Sequence, residues 1–168
     1  FGWCTAAFAE FASVDADHLV TKPVSITYEQ AAGIPMAGCV ALQALRDHGD
    51  LRPGQHVLVT GASGGVGTFA VQIAKAMGAE VTGVCSTPNT DLVLAHGADR
   101  VIDYKREDFT RSDERFDLAF QLGGTESARA IRRVLVDGGT LVLCAGDGNR
   151  DQSKESDGHL TQYTPSTA

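Results

Sequence analysis

The sequence has no apolar run long enough to cross a membrane, so no membrane partner is expected. It also lacks an excess of positive charge. Fourteen Lys and Arg face 21 Asp and Glu, for a net charge of −7, which argues against a nucleic-acid surface. Only four cysteines occur, Cys4, Cys39, Cys85 and Cys144, widely spaced and without a C-x-x-C pair. They read as reduced thiols, and with no secretory signal pattern a cytoplasmic location is expected. The histidines, His18, His48, His56, His96 and His159, form no metal-ligand spacing, so no metal site is predicted. No internal repeat is visible. At 168 residues, the chain has enough material for one sizeable core.

What is present centres on residues 57–78, VLVTGASGGVGTFAVQIAKAMG. Val57, Leu58 and Val59 suit a buried strand. Thr60 to Gly67 supply four glycines in eight residues. Val66, Phe69, Ala70, Ile73, Ala74 and Met77 then recur at helical spacing, and Gly78 stops the helix. Strand, glycine turn and helix open a dinucleotide-binding unit. A pyrophosphate binds on the free N–H groups of a helix N-terminus, where a Cβ would hold it away. Read as A-x-G-x-x-G, the motif puts the tight turn at Ala62, phosphate approach at Gly64 and helix–strand packing at Gly67. A Walker loop fails, because Gly67 is followed by Thr68 and no lysine. The short-chain dehydrogenase pattern T-G-x-x-x-G-x-G also fits, at Thr60, Gly61, Gly65 and Gly67, and stays open on these residues alone.

Along the rest of the chain, residues 1–26 read as a strand around Phe8, Phe11 and Val14, a turn at Asp15–Asp17 and a linker: the end of a domain begun elsewhere. Thr27 and Gln30 match a capping box; Pro35 is expected to interrupt that helix, with a second from Met36 to about His48, stopped by Gly49. Further strands are predicted at 80–85, 101–104, 117–122 and 141–145. Thr87 and Pro88 suit the start of one helix, and Thr125 or Glu126 opens another to about Val136. The alternation predicts an α/β, Rossmann-type, doubly wound parallel sheet of about five strands, its sixth missing. Residues 147–168 are polar and predicted to be a disordered tail.

The end of the second strand bears on the cofactor. An NAD site usually puts Asp or Glu there, on the ribose hydroxyls. Here Cys85, Ser86 and Thr87 follow one another, which favours NADP(H). Pro88 takes a natural place for a phosphate-binding arginine, and Lys105 and Arg106 are the nearest basic substitutes.

Four segments resemble the medium-chain dehydrogenase/reductase superfamily, in its zinc-independent quinone-oxidoreductase (zeta-crystallin-like) branch. They are YEQAAGIPMAGCVALQAL (28–45), RPGQHVLVTGASGGVGTFAVQIAKAMGAEVTGVCST (52–87), LAHGADRVIDYKREDF (94–109) and VLVDGGTLVLCAG (134–146). The likeness covers roughly residues 5–146, with order and spacing in agreement. It also removes the short-chain rival, whose Tyr-x-x-x-Lys pair follows neither Tyr28, Tyr104 nor Tyr163.

The resemblance implies an NADP(H) site. Ser63, Gly64, Gly65, Val66 and Gly67 would bind the pyrophosphate, and Ser86, Thr87 and Tyr104 would line the adenosine phosphate pocket. Leu122 and Gly123 would face the nicotinamide ribose, and Ala145 and Gly146 the nicotinamide. Val40 stands where relatives carry a Thr that contacts cofactor and substrate, Pro88 where they carry Arg, and Gln121 near a common Asp or Asn. The implied reaction is hydride transfer between NADPH and a quinone, enone or related small carbonyl compound; no catalytic residue is identified. Residues 1–26 would be a remnant of the GroES-like substrate domain, holding only its last strand, and 27–146 the NADP(H)-binding domain. Relatives are usually homodimers, and the dimer edge is expected to be missing. The alternative is a truncated, catalytically silent nucleotide-binding or interaction module.

Overall fold

The apolar run before the glycine turn forms strand β1, His56–Thr60, and every residue after His56 is buried. The structure, a computed structural model, describes residues 1–2, 4, 9–144 and 160–163. Around β1 lie β2 (Glu80–Cys85), β3 (Arg100–Asp103), β4 (Phe116–Gln121) and β5 (Leu135–Cys144), all parallel, in the order β3-β2-β1-β4-β5. Period-two alternation divides the core between the two faces. Val57, Val59, Leu118, Phe120 and Val142 pack with helices α1 (Tyr28–Leu42), α2 (Gly65–Ala76) and α3 (Thr90–Ala95). Leu58, Ala119 and Leu141 face Phe109 and α4 (Ala128–Ile131). Five parallel strands covered on both faces are the predicted fold.

Four expectations are corrected. The edge beyond β5 is not bare: β6, Leu160–Tyr163, pairs with it antiparallel, Val142 opposite Gln162. An antiparallel partner needs no crossover helix, so this short stretch of a polar tail suffices. The remaining residues predicted as a disordered tail, 147–159 and 164–168, lie outside the described residues, as do Phe8, Ala145 and Gly146. Residues 9–14 form no strand; Phe11 is 90% exposed, with no strand of the sheet paired to it. Near the N-terminus, Gly2 bridges to Leu19, and Asp15 caps a 3-10 turn at Ala16–His18.

Pro35 does not break its helix. The capping box forms as predicted, Thr27 with Gln30, and α1 runs through the proline. It continues as a π-helical segment, Gln43–His48, to Gly49. Packing of Val40 and Ala41 against the cluster shared with α2 holds the helix past the hydrogen bond that proline cannot make. Finally, the helix predicted to run to Val136 ends early. Ser127 caps α4, a 3-10 turn spans Arg132–Val134, and Leu135 is already paired with Phe116.

His56 and Glu80 are register partners at the start of β1 and β2, with Nε2 2.8 Å from Oε2. Burial disfavours the charged imidazole, but the Glu80 carboxylate, joined by the Arg115 backbone and the Glu114 charge, outweighs it, and His56 titrates above its ordinary value. The pair's stabilisation is therefore complete below the unfolded histidine value of about 6.5 and is lost as pH rises through the raised folded value. Glu80→Gln is expected to cost about 0.5 kcal/mol near pH 6, because the carboxylate is largely solvated. Thermal melts of both proteins should converge above neutral pH. A gap that widens with pH would contradict the assignment.

Candidate functional site

A cleft of about 540 Å³ opens at the C-terminal ends of the strands, where order reverses between β1 and β4. This is the usual ligand position in an open α/β sheet. Its floor is Thr60 and Gly61 after β1; its walls are Val84, Cys85, Ser86 and Asn89 at the end of β2, Tyr104 after β3, and the loop Leu122–Glu126 after β4.

The glycine turn divides its tasks differently from the motif reading. Gly61, not Ala62, adopts the left-handed conformation, at φ +67°. Ala62 is fully buried, and its N–H donates to the Val84 carbonyl, which locks the turn onto β2. Gly64 is the N-cap of α2 and lines the cleft. No side chain caps this helix, so the N–H groups of its first turn have no capping partner. A Cβ on Gly65 would meet nothing within 4 Å, whereas one on Gly67 would sit 2.2 Å from the Gly61 carbonyl oxygen. The exposed, uncapped helix start with no side chain over it fits a pyrophosphate.

The floor is built by polar residues that end apolar strands. The buried Thr60 hydroxyl donates to the Gly123 carbonyl at 2.8 Å and accepts from the Leu122 N–H. Gln121 is not in the lining: its Nε2 donates to the Glu126 carbonyl at 2.9 Å and pins the 122–126 loop. Sequence reasoning did not assign Thr60 a place in the site. The available signal was a Thr closing the apolar run that leads into the glycine turn.

Of the residues predicted to hold a cofactor, Ser63, Gly64, Ser86, Tyr104, Leu122 and Gly123 line this one cleft. Gly65 and Val66 belong to the uncapped first turn of α2, and Gly67 is buried beneath it. Val40 packs on the core cluster and is not in the lining. Thr87 also falls outside it. Its hydroxyl donates to Asp103 Oδ2 at 2.5 Å, and that bond holds the Asp103 carboxyl below the usual carboxylate range. Asn89 takes the place next to Ser86 instead, a residue that sequence reasoning missed. Cys85 lines the wall, and burial raises its thiol, so it stays protonated. Among the described residues no three His, Cys, Asp or Glu side chains converge as a metal site would require.

The family described as "Zinc-binding dehydrogenase" matches residues 65–164. The chain belongs to this family. Its likeness lies with quinone oxidoreductase-like members. The mitochondrial NAD(P)H oxidoreductase RTN4IP1 of Bos taurus is 40% identical over 138 residues, covering 77% of this chain and 35% of that protein. The chloroplastic quinone-oxidoreductase QR1 of Triphysaria versicolor is 41% identical over 102 residues, covering 58% and 31%. The quinone oxidoreductase of Thermus thermophilus, solved also in complex with NADPH, superposes at a TM-score of 0.67 with 33% identity, covering 74% of this chain and 42% of that one. The chain thus spans about a third of the curated relatives' length. The expectation of a cytoplasmic protein is corrected. The relatives that overturn it carry mitochondrial and chloroplastic names. Thiol spacing and the lack of a secretory pattern do not distinguish cytosol from organelle.

Proposed function

We propose that this chain is the NADP(H)-binding part of an oxidoreductase that passes hydride between NADPH and a quinone, enone or related carbonyl compound. The observation that carries the reading is the uncapped start of α2, with Gly64 on the cleft and Gly65 open beside it, at the point where strand order reverses. The residues from Ser63 to Gly67 take the pyrophosphate there. Ser86 and Tyr104 take the adenosine end, and Leu122 and Gly123 the nicotinamide ribose. Bound nicotinamide supplies the hydride; this chain's residues orient it, and orientation provides much of the rate in such transfers.

Choice of NADP(H) over NAD(H) is supported by Cys85 and Ser86 at the β2 end, where an NAD site would carry a carboxylate. The NADPH complex of the T. thermophilus relative agrees. Independence from zinc rests on the likeness to quinone oxidoreductase-like members of the family. Residues 27–146 and the 160–163 strand form the cofactor unit in this reading, and residues 1–26 end a substrate domain. The relatives' oxidoreductase names favour it over a silent module.

Turnover tests the reaction directly. NADPH oxidation with a quinone acceptor, followed by absorbance, is expected to exceed the no-protein rate. A folded chain that binds NADPH but does not oxidise it would confine the reading to cofactor binding.

A further inference from the structure

Asn89 joins two loops of the cleft through one carboxamide. Its Nδ2 lies 3.1 Å from Ser63 Oγ, in the glycine turn after β1, and 3.3 Å from Ser86 Oγ, directly after β2. All three residues line the same cleft. An amide nitrogen carries two protons and accepts none. Both serine oxygens therefore accept an N–H hydrogen bond from Asn89, and each keeps its own hydroxyl proton for another acceptor. That orientation matters here because, among the described residues, no Lys or Arg lines the cleft. Within the lining, a phosphate meets neutral donors and the α2 N–H groups, with the Lys105 ammonium set back behind Tyr104, 5.1 Å from its ring centroid. The two preceding residues cannot substitute: the Thr87 hydroxyl is committed to Asp103, and Pro88 has no side-chain donor.

We infer that Asn89 is a positioning residue that turns Ser63 and Ser86 into hydrogen-bond donors, and through Ser86 sets the preference for a 2′-phosphorylated adenosine ribose. This rests on the NADP(H) reading above. Ser63, in the glycine turn, serves the pyrophosphate and so acts on NADPH and NADH alike. Ser86, at the β2 end, meets the group by which the two differ. Loss of Asn89 must then move the ratio of the two affinities, which a purely structural residue would leave alone.

Asn89→Asp preserves shape but replaces the double donor with a charged acceptor. Both serine protons turn to it, and their lone pairs face the phosphate. NADPH affinity is expected to fall about tenfold or more, with a smaller loss for NADH. Asn89→Ala should shift the ratio in the same direction by less, and it covers the case in which the Asp variant does not fold. In a Ser86→Ala background, Asn89→Ala should leave the ratio unchanged, since the two act as one unit. The test is fluorescence titration of NADPH and NADH on the 168-residue chain and these variants, each first shown to be folded by circular dichroism. A wild-type NADPH preference that collapses in the Asn89 variants supports the inference. A preference that survives in them, or equal losses for both nucleotides, overturns it and leaves the cofactor reading intact. A wild-type chain with no NADPH preference overturns the cofactor reading, and the inference with it.

Discussion

Gly65→Asp is expected to abolish NADPH binding without harming the fold. The position is exposed, opens α2, and leaves room for a side chain, with nothing within 4 Å of an added Cβ. A carboxylate in the first helical turn complements the helix dipole, so stability should hold or rise by about 0.5 kcal/mol. The same charge stands where the pyrophosphate must dock. Like-charge juxtaposition in a binding site costs several kcal/mol, or about 100-fold or more in affinity. Thermal melts and NADPH titration on the same sample separate the two effects. Undiminished affinity in a stable variant would remove the pyrophosphate from the α2 start.

Two residues further on, the opposite outcome is expected. Gly67 is buried, and a Cβ there would lie 2.2 Å from the Gly61 carbonyl oxygen and 2.8 Å from both Ala62 Cα and its carbonyl carbon. All three are backbone atoms. They cannot swing aside as the tip of a flexible side chain can. Ala62 is further held by its hydrogen bond to Val84. Gly67→Ala must therefore push α2 off β1, at an expected cost of about 3 kcal/mol, the upper range for overpacking. For a chain of this size that is a fall of roughly 10 °C in melting temperature. A melting temperature within a degree of wild type would show that the helix is free to move. Together the two substitutions separate what the glycines do: one keeps the phosphate path clear, the other lets helix meet strand.

The parallel strands were legible where a short apolar run is covered on both faces, as in His56–Thr60 and Glu80–Cys85; the first half of β5, through Asp137 and Gly138, is exposed and polar and was not. Glu80–Cys85 matches its predicted bounds, and the other parallel strands appear where predicted with shifted ends. The glycine loop was legible for the same reason that it works, since few sequences can place a Cβ-free helix start after a buried strand. Harder to read was anything fixed by a partner distant in sequence. Leu160–Tyr163 is a strand because β5 offers it an unpaired edge, which its polar surroundings conceal. Val40 stands at a position the resemblance assigned to the cofactor, though with Val in place of Thr, and it packs on the core outside the cleft lining. The adenosine end depended on register. Ser86, rather than Thr87, precedes the first turn, and this shift of one residue turns Thr87 to Asp103 and brings Asn89 onto the cleft. Adjacent hydroxyls in a sequence carry no sign of which one faces a ligand.

The most direct test of the account is titration of the folded 168-residue chain with NADPH, alongside NADH, read by nucleotide fluorescence. The account predicts saturable binding of both nucleotides at one site, tighter for NADPH, and loss of both on Gly65→Asp. A folded chain that binds neither nucleotide, or whose binding ignores a charge at Gly65, would contradict it.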